Sequence, residues 1–197
     1  MLQTNQKERI ILGIDPGTAV MGYGLVKETG PKIELISLGV VKMDKIDDHM
    51  LKLQRIFEKT VALIDNYHPD CLAIEAPFYG KNIQVMLKLG RAQGVAMAAA
   101  LSRNVTITEY SPRKIKQSIT GNGNATKEQV AAMLQNLLSF KETPDFLDAT
   151  DGLAVAVCHS FQRNATAGKS GAKKSYSGWE TFVKDNTGRV SGLKVKK

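Results

Sequence analysis

The chain has 197 residues, 43% of them hydrophobic, and carries 27 Lys/Arg against 19 Asp/Glu for a net charge of +8. That is enough for one domain with a sizeable core plus a tail. Cys71 and Cys158 stand far apart with no CxxC or Cys/His spacing, no apolar run nears the roughly 20 residues of a membrane span, and the first nine residues are mostly polar and charged; a disulfide framework, zinc site, membrane span or signal region is not expected, and a soluble cytoplasmic protein with buried reduced thiols is.

The first third reads as strands. Arg9–Ile14 is apolar and runs into Asp15, followed by a Pro16-Gly17 turn. Met21–Lys27 is the second strand, with Gly22 and Gly24 where the backbone must pass close to something. Lys32–Met43 is the third; Ile33, Leu35, Val41 and Met43 share one parity. Short turns join the three as an antiparallel meander. Helical spacing follows in Met50, Leu51, Leu53, Ile56, Phe57, Val61 and Ile64, starting near Asp47-Asp48 and stopping before Pro69. Cys71–Glu75 is a short strand that again ends on a carboxylate. Asn82–Leu101 is a helix rich in Ala, Met and Leu, and Val105–Glu109 a last strand. Pro112 opens a short helix. After the GNGNAT loop, Thr126 caps a helix through Leu138, and Phe146–Phe161 is the final helix. Five strands with interleaved helices predict an α/β fold, a mixed sheet flanked by helices on both faces.

Two domain-level pieces are expected: a body over 1–162 and a basic, flexible tail over 163–197, with Tyr176, Trp179 and Phe182 as a candidate docking element. Charge is segregated. Residues 81–127 carry 8 Lys/Arg against 1 acid and residues 163–197 carry 9 against 2, while residues 1–80 and 128–162 are net acidic. A polyanionic partner such as nucleic acid fits that pattern; a solvated basic face fits it too.

Four acids occupy positions where apolar surroundings are expected. Asp15 and Glu75 end strands. Asp148 and Asp151 lie three apart in FLDATDGLAVAVCHSF, on one face of a helix. Each alone can be a turn or helix-end acid. Together, brought side by side, they form an oxygen-donor set for two hard divalent ions, Mg²⁺ with Mn²⁺ as substitute, suited to phosphodiester hydrolysis. The rival for GIDPGT is the phosphate loop of an actin-like ATPase, disfavoured by chain length. His159 lies 11 residues beyond Asp148 and is read as a packing or surface histidine.

GIDPG, LAIE, KLGRAQGVAMAAA, KQSITGNGNATK and DATDGLAVA occur in the order and spacing of the RuvC family, bacterial Holliday-junction-resolving endonucleases with a ribonuclease H-like fold; the resemblance spans about residues 10–159. It implies metal binding and catalysis by Asp15, Glu75, Asp148 and Asp151. It implies base stacking by Phe78 and backbone contacts by Lys116 and Lys127, with Lys127 also catalytic. Lys81, Lys88 and Arg91 would hold phosphates beside the cleft. It further implies a homodimer through the Asn82–Leu101 helix, symmetric paired nicks leaving 5′-phosphate and 3′-hydroxyl ends, and RuvA–RuvB as the partner motor. A binding module without turnover on the same fold is the alternative.

Overall fold

A computed structural model describes residues 8–77, 82–141 and 146–167. The elements run β1 (Glu8–Asp15), β2 (Val20–Thr29), β3 (Lys32–Lys42), α1 (His49–Tyr67), β4 (Cys71–Glu75), α2 (Ile83–Leu101), β5 (Thr106–Tyr110), α3 (Pro112–Thr120), α4 (Lys127–Leu138) and α5 (Phe146–Ala167). They form one mixed sheet in the order β3-β2-β1-β4-β5. β1 pairs antiparallel with β2, and β2 with β3; β4 runs parallel to both β1 and β5. The expected meander and five-stranded mixed sheet are both present.

Strand alternation sends residues to two separate cores. Leu12, Ile14, Met21, Leu25, Leu72 and Ile74 face α1 and α2. Ile11, Val26, Cys71 and Ala73 face α3, α4 and α5. β3 departs from a single parity. Its register against β2 slips at Leu25/Val26, where Leu25 faces Ser37 but Val26 faces Leu35. The extra residue flips the sides, so Ile33 and Leu35 join the core of α3, α4 and α5 while Val41 and Met43 join that of α1 and α2.

The helix boundaries follow their caps. Asp48 accepts from Met50 N at 2.6 Å and Leu51 N at 3.3 Å, and His68 closes α1 in the left-handed region at φ 47°. Thr126 and Gln129 form a reciprocal capping box at α4. Within α1, the buried residues are Ile56, Thr60, Leu63 and Ile64; Met50, Leu51 and Phe57 are exposed, so the core stripe is narrower than the apolar spacing implied. α5 runs six residues past the expected Phe161, to Ala167.

α5 is seated on bare backbone. A Cβ built on Gly13 would come within 2.3 Å of the Gly152 carbonyl oxygen and 2.5 Å of Ala156 N. One on Gly22 would lie 2.1 Å from Asp148 O, and one on Gly24 2.4 Å from Leu153 Cα. Gly152 answers from the helix side: a Cβ built on it would lie 2.5 Å from Gly22 C. The glycines of β1 and β2 therefore let the helix approach the sheet closely, and its first turns lie at the end of β1.

Candidate active site

The strand order places the C-terminal ends of β1 and β4 side by side, with Ile14 opposite Ile74. Asp15 and Glu75 thus emerge as neighbours at one edge of the sheet. α5 brings Asp148 and Asp151 to the same edge, because Gly22, the partner of Asp15 on β2, lies under the Asp148 carbonyl. α4 supplies Lys127 from its first turn. The Lys127 ammonium donates to Asp151 Oδ2 and lies 3.8 Å from Asp148 Oδ1.

Two clefts meet at this edge. One, of about 280 Å³, is lined by Asp15, Glu75, Lys116, Lys127 and Asp151 with apolar flanks from α3, α4 and α5. The other, of about 540 Å³, lies between Asp15, Glu75 and the start of α2, where Val85, Met86 and Leu89 form an apolar wall. Lys88 and Arg91 are exposed on α2 and do not line that wall. Phe78 and Lys81 lie outside the described residues, as does the segment with Tyr176, Trp179 and Phe182.

The acids perturb one another. Burial, then the Asp151 charge, pushes the Asp15 carboxyl up to about 6; Lys127 works against this and Asp148 adds to it. Burial raises Glu75 further, to about 8, helped by Asp15 and Asp151 and opposed by Lys127 and Lys116. Asp151 is raised by burial although Lys127 holds it down. Burial pulls Lys127 down, but Asp151, Asp15 and Asp148 outweigh it and hold the ammonium charged. Four carboxylates face two lysines, so a divalent cation would balance the site, and an all-oxygen donor set suits a hard one. Among the described residues no three His, Cys, Asp or Glu side chains form a ready cation cage. Lys127 stands between two of the acids, held to Asp151 and 3.8 Å from Asp148 Oδ1.

These shifts predict a pH effect on the metal-free protein. The folded state keeps protons on Asp15 and Glu75 that the unfolded chain releases near its ordinary carboxylate range. Their contribution to stability therefore falls as pH rises through about 4 to 8. Thermal melting in EDTA should give a lower Tm at about pH 8.5 than at about pH 5.5 on this account. Glu75→Gln should flatten that slope, and Mg²⁺ should recover Tm chiefly at the alkaline end.

Two buried side chains support the site, Gln93, which the sequence reading missed, and His159, which it read as a packing or surface residue. Gln93, buried on α2, donates to the Glu75 carbonyl at 3.3 Å and to Glu109 Oε2 at 2.8 Å, tying the ends of β4 and β5 to the helix. Its only signal was one amide amid the small residues of GRAQGVAMAAA. His159 is buried rather than exposed, with Nε2 3.4 Å from Cys71 Sγ and Nδ1 3.0 Å from Tyr110 OH, so it links α5 to β4 and β5 and is no ligand. Both cysteines are free and buried, as expected.

The family model described as "Crossover junction endodeoxyribonuclease RuvC" matches residues 11–159. A protein of that name from Christiangramia forsetii is 60% identical over 185 residues, covering 94% of each chain. One from Bacteroides fragilis is 57% identical, covering 93% of this chain and 97% of its own. Among solved structures, T. thermophilus RuvC in complex with Holliday junction substrate superposes with a TM-score of 0.74 at 31% identity, covering 80% of this chain and 96% of the other.

Proposed function

The chain belongs to the RuvC family of crossover junction endodeoxyribonucleases, and from that premise we propose how its own residues cut a Holliday junction. It is a metal-dependent nuclease that resolves four-way DNA junctions by paired, symmetric phosphodiester hydrolysis, leaving 5′-phosphate and 3′-hydroxyl ends. The observation that carries the reading is the convergence of Asp15, Glu75, Asp148 and Asp151 with Lys127 at one sheet edge, bounded by a basic-walled cleft.

Asp15, Glu75, Asp148 and Asp151 would hold two Mg²⁺ ions, with Mn²⁺ as substitute; when bound, these would supply Lewis-acid activation of water and charge neutralisation at the phosphate. The carboxylates themselves repel a phosphate, so their part is to hold the cations. Lys127, fixed at the start of α4, offers its ammonium to the developing negative charge. Lys116 lines the same cleft and holds the backbone. Phe78 stacks on a base at the crossover, and Lys81, Lys88 and Arg91 add phosphate contacts that position the junction.

The working form is a homodimer, because two opposed strands need two sites related by a two-fold axis. α2 supports this. Ile83, Leu87, Gly90, Gly94 and Leu101 recur at helical spacing and are exposed, with open space over both glycines. That is an apolar stripe on which a second α2 can pack closely. Leu87→Glu should shift the protein to monomer in sedimentation velocity and abolish coordinated double nicking; an unchanged sedimentation coefficient would move the interface elsewhere. The RuvA–RuvB motor is the partner at the junction, and the cytoplasm the compartment; no described helix is long and apolar enough to cross a membrane. The division into a 1–162 nuclease body and a basic 163–197 tail stands as part of this proposal, the tail adding nonspecific DNA affinity.

The deciding assay uses a labelled synthetic four-way junction and a linear duplex of the same sequence, each with Mg²⁺. Symmetric nicks in the junction alone are expected. Equal cutting of the linear duplex would remove junction selectivity, and tight binding without cutting would favour a binding module.

A further inference from the structure

The catalytic cleft does not end at the acids. Pro112 and Lys116 line it, and both also line a second groove of about 410 Å³ completed by Arg113, Gly123 and Asn124. No carboxylate lines this continuation, and among the described residues no acid pairs with Arg113. Arg113 and Lys116 are three apart on α3, so their side chains follow one another along one face by about one turn. A line of cations running out of a nuclease cleft is a track for phosphates.

The groove has a built floor. α3 ends at Gly121 in the left-handed region, φ 76°, where its N–H returns to the Gln117 carbonyl. The next residues are fastened. Thr120 Oγ1 accepts from Asn122 N at 3.1 Å and has two carbonyls to donate to, Lys116 O at 2.8 Å and Asn122 O at 3.0 Å. Asn122 Oδ1 accepts from Asn124 N at 3.0 Å, and Ala125 is buried beneath. This holds Gly123 against Arg113. A Cβ on Gly123 would lie 2.6 Å from Arg113 Cγ and 3.2 Å from its Nε. The missing side chain is the space through which the arginine stem passes, so the guanidinium is laid in one direction with less rotamer freedom left to lose on binding.

We propose that Arg113, laid across Gly123 in the groove that continues the catalytic cleft, binds the phosphodiester immediately beside the one being cut. The planar guanidinium can grip two oxygens of one phosphate, which a lysine at that place could not do. Its role is to set the register of the strand over the acids, with no part in the chemistry. The proposal rests on the junction-cutting reading, which the cleavage assay in Mg²⁺ tests by itself.

The groove is tested by binding in Ca²⁺, with the full chain and junctions carrying single uncharged methylphosphonates at successive positions around the cut. Wild type should lose affinity when the neutral position sits beside the scissile phosphate. Arg113→Gln should bind about 3–10-fold more weakly, show a salt slope shallower by about one, and lose nothing further at that single position. Gly123→Ala removes no charge, yet should reproduce the Arg113→Gln pattern by displacing the stem. A wild-type salt slope in Arg113→Gln would overturn the proposal. So would an equal loss at every neutral position, since that marks diffuse attraction and no seat for one phosphate.

Discussion

Asp15→Asn and Glu75→Gln are expected to lower junction cleavage by about 10³-fold or more in Mg²⁺ while leaving junction binding intact or somewhat tighter. The amides keep the shape of the side chains at the ends of β1 and β4, so the sheet edge and cleft survive. Each removes one anionic donor from the set that would hold the cations. Each also removes one negative charge facing the DNA phosphate, which is why binding should not fall. The two positions should differ in one respect. Burial and the surrounding acids raise Glu75 to about 8 and Asp15 to about 6. Wild-type metal affinity should therefore climb with pH through both values, and Glu75→Gln should remove the upper part of the climb. Isothermal titration with Mn²⁺ at several pH values reads this without relying on turnover. Cleavage that survives Glu75→Gln would sink the four-carboxylate site. Loss of junction binding in both amides would show that these acids serve structure first.

The second large effect lies in the glycines beneath α5. Gly13→Ala should destabilise the protein by about 3 kcal/mol or more, or prevent folding, because the new methyl meets backbone that cannot rotate away. At about 2–4 °C per kcal/mol for a chain of this size, the loss should approach about 10 °C in Tm. Gly22→Ala should be similar in stability and worse in function. Its Cβ would press on the carbonyl of Asp148 itself, at 2.1 Å. Relieving that contact lifts the first turns of α5, and with them Asp148 and Asp151, away from Asp15. A Gly22→Ala protein that melts and cuts like wild type would mean that α5 is not seated as described.

Much of this was legible from the sequence, for physical reasons. β1, β4 and α5 are dense apolar segments interrupted by single acids, and acids in such places are expensive unless they have work to do. Gly22 and Gly24 were readable as points of close approach, and a helix does lie against them. Gly13, the first residue of GIDPGT, also lies under α5, against Gly152 and Ala156. β3 could not be read as easily. Its bulge swaps faces between Leu35 and Val41, so one apparent parity hid two. The exposed Met50, Leu51 and Phe57 of α1 fit a helical apolar pattern without belonging to the core. Gln93 and the Cys71–His159–Tyr110 contacts were out of reach because each joins residues distant in sequence through a single polar atom. Lys127 was named through the family resemblance; that its ammonium bridges Asp151 and Asp148 follows only from the packing of α4 against α5.

The order of the acids along the chain has a consequence for the cell that makes this protein. Asp15 leaves the ribosome early, Glu75 midway, and Asp148 with Asp151 near the end of the folded body. No contiguous piece of the chain short of α5 contains the whole ligand set. A nascent, stalled or truncated product therefore carries basic surface that can touch DNA but lacks the means to cut it. α5 is the last described helix in the chain, so the proposed ligand set is complete only once the whole body has been made.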